Sequence, residues 1–276
     1  TKTEFDEHQA DEAIHVTPQE KNYWNNKLDE IKVDGETIYI NDDGELTTLN
    51  PNWDDQTNAP GPKILIGGTM DAGFFGEVPA GKLMNGADLC IAIGLSEGNL
   101  QHSDEPFLKF AYNGKILFVN KKPIRNSVSW DAIASAGAVY GDGGSQGYAQ
   151  VTIGGLTYKV RLFKGSSKDP HSSSSDAHGS EWNALMLPIH EKAPSDWAYG
   201  QFVNSPTEDW GINYTDEDLL THYNFGDGSY SWCQETSASN TSYRVHRGYN
   251  GVSYLTSVVS SSSSSLRGAR FVLELL

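Results

Sequence analysis

Gly143-Gly144-Ser145-Gln146-Gly147 fits G-x-S-x-G, the pattern that lifts a serine nucleophile onto a sharp turn between a strand and a helix. The segment after it, Tyr148 to Ile153, alternates apolar and polar residues as a strand does. The helix that the turn requires is therefore missing, and a glycine loop is the simpler account. Cys233 stands beside Trp232 and upstream of His246, which raises the question of a thiol nucleophile. No neighbour marks that thiol as activated, and a small buried thiol packed by a tryptophan explains it. His171, Asp176 and His178 are metal-ligating types in one short stretch, but the stretch is serine-rich and lacks a helical face to fix their geometry, so it reads as a solvated loop. Asn41, Asp42, Asp43 and Glu45 look like a calcium loop until the spacing is checked: an EF-hand alternates its ligands, and these are consecutive turn formers. Pairs of carboxylates for glycoside hydrolysis can be drawn almost anywhere among 36 acidic residues, so that signal has no specificity. No catalytic residue, metal ligand or cofactor is expected.

The bulk properties exclude some partners. Net charge is −16, which repels phosphate backbones and anionic lipid, so neither nucleic acid nor a membrane surface is an expected partner. No apolar run approaches the ~20 residues needed to span a bilayer. The two cysteines, Cys90 and Cys233, are far apart and match no metal spacing; their pairing is open at the level of sequence. Charge is unevenly placed, because residues 1–60 hold 15 Asp and Glu against 4 Lys and Arg. That segment is a physical object separate from the rest of the chain.

The elements that would position functional groups can be read in order. Residues 1–16 are acidic and aperiodic, and read as disordered or ordered only by a partner. Thr17-Pro18-Gln19-Glu20 combines an N-cap hydroxyl, a proline at the first helical position and a capping-box residue, which predicts a helix to about Ile31. Trp24, Leu28 and Ile31 form one apolar stripe on it, and a helix of ~14 residues needs burial of that stripe to persist. Glu36–Ile40 and Glu45–Leu49 flank turn formers and predict a hairpin, also marginal alone. Two such elements in succession over 17–50 suggest an oligomeric stalk, with a homotrimer as the expected form and Trp24, Leu28 and Ile31 at its contact. Residues 51–62 read as a linker, and 63–276 as a compact domain.

In that domain Phe107–Tyr112, Asn113-Gly114 and Lys115–Val119 spell a hairpin with a type I′ turn, and Val151–Ile153, Gly154-Gly155 and Leu156–Phe163 a second. Short capped helices are expected over Trp130–Ala136, Glu181–Leu187 and Asp216–His222, started by Ser129, Ser180 and Thr215. Segregated hairpins without repeating βαβ units make the fold class α+β. Ser172–Ser175 and Ser260–Ser265 read as exposed loops. Near the end of the chain Tyr243, Tyr249, Asn250, Ser253 and Tyr254 sit among glycines and serines, a composition that also builds antibody paratopes because tyrosine supplies contact area at low entropic cost. The same composition fits a glycine-rich edge with tyrosines packed inward, and composition does not separate the two.

Trp232-Cys233-Gln234-Glu235-Thr236, Arg244-Val245-His246-Arg247-Gly248 and Leu266-Arg267-Gly268-Ala269-Arg270-Phe271-Val272-Leu273-Glu274, with Glu181-Trp182-Asn183 earlier, resemble the closing pattern of C-type-lectin-like domains of the formylglycine-generating-enzyme type, as found in phage structural proteins. The resemblance covers Lys63 to Leu276, with its specific motifs in the last ~100 residues. Enzyme members carry a reactive cysteine pair, and related iron enzymes a histidine triad. Here Cys233 stands alone and enzymatic activity does not carry over. The family also has an aromatic residue before the final arginine, where this chain has Ala269. Ahead of that domain, His15-Val16-Thr17, Trp24-Asn25-Asn26-Lys27 and the Thr37–Ile40 hairpin resemble units of tail-fibre and baseplate appendage proteins in phages of Gram-positive bacteria.

By position, the resemblance implies that Trp182, Trp232, Arg244, Arg247, Gly248, Gly268 and Arg270 hold the framework, while Tyr243, His246, Tyr249, Asn250 and Tyr254 contact a ligand. It implies a non-enzymatic phage virion appendage, outside the particle. Such a protein would be joined to itself and other virion proteins through its N-terminal segment, and would bind a bacterial surface receptor, a glycan among the options, for host attachment. The alternative implied is a structural virion component, such as a head fibre or capsid decoration protein, with no receptor role.

Overall fold

The computed structural model describes residues 31–33, 36–40, 46–47, 53–140, 149–191 and 209–276. The chain divides into two compact units, Thr1–Asn58 and Ala59–Leu276. In the first unit β1 (Ile31–Val33), β2 (Glu36–Ile40) and β3 (Leu46–Thr47) form an antiparallel sheet in chain order. The expected hairpin is its β2–β3 pair. Ile31 corrects the helical stripe: it opens β1 opposite Ile38, so it has left any helix before the residue that was to complete the i, i+4, i+7 pattern. The sequence carried the reason, since Asp34-Gly35 between two β-branched runs is a strong hairpin signal. Trp24 and Leu28, the expected helix start at Thr17 and residues 1–16 lie outside the described residues.

The second unit begins at Ala59, inside the expected linker. Ala59 is buried and its carbonyl accepts from Lys63 Nζ at 2.6 Å, while the Pro62 carbonyl accepts from the buried Lys109 Nζ at 2.6 Å. This unit is mixed α and β, mostly sheet with few short helices. In chain order come β4 (Gly67–Gly68), β5 (Ala72–Val78), α1 (Gly86–Ala92), β6 (Asn99–Leu100), β7 (Phe107–Tyr112), β8 (Lys115–Asn120), β9 (Arg125–Asn126) and α2 (Trp130–Ser135). Next are β10 (Ala149–Ile153), β11 (Leu156–Arg161), α3 (Glu181–Met186), α4 (Asp216–Leu219), β12 (Tyr230–Thr236), β13 (Tyr243–Gly248), β14 (Leu255–Val259), β15 (Arg267–Ala269) and β16 (Val272–Leu275).

Local chemistry starts most of these elements. Asn113 and Gly114 both take positive φ, 50° and 74°, as a type I′ turn requires, and Phe107–Tyr112 pairs with Lys115–Asn120 around them. Gly154 and Gly155, at 58° and 82°, do the same between β10 and β11. Ser129, Ser180 and Thr215 each accept a backbone N–H from the first turn of α2, α3 and α4, and Thr215 with Asp218 closes a full capping box. The helix started by Thr215, α4, ends earlier than expected, because Leu220 turns left-handed at φ 50°.

A seven-stranded sheet, ordered β10-β11-β16-β8-β7-β5-β4, is antiparallel throughout and apolar on both faces. Neighbours in sequence therefore enter different cores: Phe75, Phe107, Phe118 and Leu273 pack on one side with Leu89, Trp130 and Ile133. Phe74, Leu108, Leu117 and Val272 pack on the other with Trp182, Leu185 and Leu219. A six-stranded sheet, β14-β13-β12-β15-β9-β6, has one parallel pair, β12 with β15.

The chain crosses from this second sheet to the first between β15 and β16, at Arg270 and Phe271. Arg270 is fully buried. Its Nε donates to Ser231 Oγ at 3.1 Å, its Nη1 to the Asn120 carbonyl at 3.1 Å and to that of Lys121, and its Nη2 to the carbonyl of Leu219. One guanidinium thus joins both sheets to α4, and burial pushes its pKa down to about 9, leaving it cationic at neutral pH. Arg270→Met removes the donors and strands those carbonyls, each costing about 1–3 kcal/mol when unsatisfied. The expected loss is at least about 3 kcal/mol in urea unfolding. A midpoint within experimental scatter of wild type would show that the crossing is held by packing alone.

Candidate functional site

The candidate surface is built where β13 ends. Gly248 takes φ +85°, and a Cβ there would sit 2.4 Å from the Ser229 carbonyl oxygen, so only glycine fits. Tyr249 follows at φ +82°, a conformation that costs a bulky residue roughly 1–3 kcal/mol and persists only when its surroundings impose it. Here they do. The Tyr249 carbonyl accepts from Tyr223 N at 2.7 Å, Gly251 N donates to the Thr221 carbonyl at 2.8 Å, and Asn250 bridges to His222. Val252 N donates to Asp216 Oδ1 at 3.1 Å, and the Val252 carbonyl accepts from the buried Trp182 Nε1 at 2.7 Å.

This framework places Tyr249 on Tyr230, with ring centroids 4.0 Å apart and planes 5° from parallel. Tyr249 also lies 4.9 Å from Tyr223 and 6.1 Å from Tyr254, and Tyr223 stacks on His222 at 4.5 Å. Phe225 stands 5.8 Å from His222. Arg267 spreads its guanidinium 4.4 Å from the Tyr230 centroid. Tyr223 and Phe225 remain 45% and 46% exposed, which is unusual for large aromatic side chains and makes their faces available to a ligand. Tyr230 is almost enclosed, and burial, followed by its tyrosine neighbours Tyr254 and Tyr249, pushes its phenol up.

Tyr249, Asn250 and Tyr254, three of the residues expected to contact a ligand, are brought together and are half-buried. Two others are corrected. His246 is 1% exposed, sits opposite Trp232 in the β12–β13 register and packs on Tyr230 at 4.1 Å. Burial drives its imidazole well below the usual range, so it is a neutral core residue and touches no ligand. Tyr243 opens β13 and lies about 17 Å from Gly248 along an extended strand. It belongs to a different region of the surface.

Tyr223, Phe225, Tyr230 and Arg267 were missed by sequence reasoning. They come from separate stretches: Tyr230 faces Gly248 and Arg267 through the register of β12 with β13 and β15, and Tyr223 and Phe225 join through the Tyr223 N bond to the Tyr249 carbonyl and the bridge of His222 to Asn250. The signal available was the alternation Tyr230-Ser231-Trp232, which sets both aromatic rings on one strand face.

The framework residues form a buried set. Trp182, Trp232, Arg247 and Arg270 are fully enclosed, and Gly248 and Gly268 are buried. Gly268 approaches the Gly228 carbonyl so closely that a Cβ would stand 2.2 Å from it. Arg247 donates to the carbonyls of Gly165 (2.7 Å), Ser253 (3.2 Å) and Tyr254 (3.1 Å) and to Asn183 Oδ1 (2.5 Å). Arg244 is less buried; it donates to the Thr241 and Tyr243 carbonyls and covers the Trp130 ring at 4.3 Å.

Other chemistry suggested by the sequence finds little support. Cys90 and Cys233 are free thiols, both buried, and burial raises the pKa of each. Asp176 is buried rather than solvated: its Oδ2 accepts from Ser172 N, Ser172 Oγ and Ser173 N at 2.8–3.0 Å, and its Oδ1 pairs with Lys168 at 2.9 Å. That carboxylate caps a 3-10 turn, Ser174–Ala177, and the Lys168 bond with those donors holds it below the usual carboxylate range. His171 is buried beside it, its Nδ1 3.8 Å from Asp176 Oδ2. Among the described residues no group of three or more His, Cys, Asp or Glu is placed to hold a metal ion. His190 Nε2 lies 3.2 Å from Asp216 Oδ1, but the pair is closed to solvent on the histidine side and the same oxygen holds Val252 N and Thr221 Oγ1. The G-x-S-x-G segment and Asn41, Asp42, Asp43 and Glu45 lie outside the described residues. Comparison of the chain with protein-family models, curated proteins and solved structures gave no match.

Glu235 is a carboxyl buried on β12. It accepts from Gly165 N at 3.1 Å, and burial pushes its pKa up to about 8. The folded protein holds this proton through a range where the unfolded chain has lost it. Stability from Glu235 is therefore complete below about pH 4.5 and is lost as pH rises to about 8. Glu235→Gln, which keeps a neutral group of the same shape, is expected to unfold at higher denaturant than wild type at pH 9, by a few kcal/mol, with the difference vanishing near pH 4. A difference independent of pH would show that this carboxyl is ionised throughout.

Proposed function

We propose that the chain is a non-enzymatic binding protein, an adhesin of a phage virion, that attaches to a bacterial surface through the aromatic patch around Tyr249. The observation that carries this reading is the patch itself. Tyr223 and Phe225 stay nearly half exposed on a segment whose backbone is fixed from several sides, beside a tyrosine held in a strained conformation. Exposed aromatic groups on a preorganised backbone bind at small entropic cost, and strain of this kind concentrates at ligand sites.

Two further features support it. The stretches that resemble a lectin-like closing pattern coincide with β12, β13, β15 and β16, the strands that carry Tyr230 and Arg267 or lead into Tyr249. The acidic first 60 residues differ in composition from the patch-bearing unit, as suits a segment that joins copies of the chain and other virion proteins. In this reading the chain forms a homotrimer through its first unit, stands on the outside of the particle and turns over no substrate.

The purified protein should sediment with cell walls of the host strain. Tyr223→Ala with Phe225→Ala should weaken that binding at least about tenfold, equivalent to ~1.4 kcal/mol, while the melting temperature stays within a few degrees because neither ring is in the core. Wall binding indifferent to both substitutions would remove the patch from the adhesin role. Absence of any wall binding by wild type would favour a structural virion component.

A further inference from the structure

The other arginines of the chain are accounted for by partners inside the protein. Arg161 makes a bidentate pair with Glu181 and bonds Glu274 at 2.9 Å. Arg125 donates to the carbonyls of Ser96, Glu97 and Gly98, and Arg244, Arg247 and Arg270 to the carbonyls described above. Arg267 differs. Among the described residues its guanidinium has no carboxylate and no hydrogen-bond acceptor, and its Nε is buried without a partner; the Arg244 Nε is also without one, but Arg244 donates twice from Nη1. It is neither fully exposed nor buried, so water does not fully replace what is missing. An incompletely solvated cation without a counter-ion is an arrangement that an anionic ligand would complete.

Its location says what else that ligand must carry. Arg267 pairs with Tyr230 across the parallel β12–β15 register and lies over the Tyr230 ring, which stacks on Tyr249. The anion must therefore belong to a molecule that also covers aromatic surface. Asn250, in the same loop as Tyr249, carries no side-chain hydrogen bond among the described residues and offers both donors and an acceptor. Tyr230 lies between Arg267 and Tyr249, so the molecule must span that ring, and an oligosaccharide meets these conditions together: the C–H faces of its rings pack on tyrosine or phenylalanine, its hydroxyls match an amide, and a ring carboxylate fits the planar fork of a guanidinium in a bidentate pair.

We propose that Arg267 anchors the carboxylate of an acidic oligosaccharide that crosses Tyr230 and packs neighbouring sugar rings on Tyr223, Phe225 and Tyr249, with Asn250 as a hydroxyl partner. This rests on the reading of the patch as an adhesin surface and names the class of glycan that it selects. Arg267 then supplies selectivity for charge, and the aromatic rings supply affinity common to charged and neutral sugars.

The test uses the full chain and a panel of uronic-acid oligosaccharides, each beside its carboxyl-reduced neutral form, titrated by calorimetry. Wild type should bind acidic members at least about tenfold tighter than their reduced partners, and added salt should erode that preference. Arg267→Gln should bring each pair to about equal affinity, and Arg267→Lys should restore only part of the preference, because an ammonium lacks the fork. Tyr223→Ala should weaken both members of a pair alike.

Equal affinity for the two members in wild type, or a preference that survives Arg267→Gln at unchanged melting temperature, overturns the anchor and leaves the adhesin reading standing. Tighter binding of a polyol-phosphate oligomer than of every uronate overturns the carboxylate assignment. If no panel member binds, the acidic-sugar class is rejected, and the adhesin reading is decided separately by wall binding of the Tyr223 and Phe225 variants.

Discussion

Trp182 lies in the core with two buried guanidinium groups over its ring, Arg247 at 5.4 Å and Arg270 at 5.7 Å. Neither cation is paired with a carboxylate; backbone carbonyls and side-chain oxygens take its hydrogen bonds. Burying a charge costs several kcal/mol, so each group is tolerable only if nearly every donor finds an acceptor in place. That requirement makes the surrounding backbone rigid in a way that apolar contact does not. A carbonyl displaced by an ångström would leave a charge-assisted bond unmade, whereas a methyl group displaced as far loses a fraction of a kcal/mol.

The aromatic patch inherits its order from this centre. Arg247 holds the carbonyls of Ser253 and Tyr254, Trp182 holds that of Val252, and Arg270 holds that of Leu219 just ahead of the segment carrying Tyr223 and Phe225. The strained turn at Gly248 and Tyr249 is thus tied down on both sides of the strain. Order that begins in the core reaches the surface through main-chain atoms, and the exposed rings gain a fixed arrangement without being buried. This is the physical content of preorganisation: the entropy of arranging the contact surface is lost on folding rather than on binding.

Charge is distributed with the same logic. The Arg161 guanidinium is shared between Glu181 and Glu274, and Glu181 also accepts from Lys164 N, so two acids and one base are buried as a satisfied network. Glu235, without an arginine bonded to it, keeps its proton instead. Buried groups here are neutralised by a partner, by a proton or by carbonyl dipoles. Arg267 takes none of these routes, and it stands where the protein meets solvent.

How much of this was legible depends on the range of the interactions involved. Hairpins turned by Asn113-Gly114 and Gly154-Gly155, and helix starts capped by Ser129, Ser180 and Thr215, rest on contacts a few residues apart, and the sequence determined them. The resemblance to a lectin-like closing pattern, carried over by position, implied Trp182, Trp232, Arg247 and Arg270 as framework, and all four are fully buried. Sequence reasoning failed at Ile31, where a helical period and a strand pair competed and the pairing with Ile38 prevailed. It failed at His246 and Tyr243 because one strand alternates its faces and spans about 17 Å, so closeness along the chain did not mean a shared surface. Register decided the rest: Tyr230 meets Gly248 and Arg267 only because β12 pairs with β13 and β15 as it does. The residues of the patch were joined by hydrogen bonds between strands distant in the chain, and that pairing is a tertiary choice that a lone sequence does not carry.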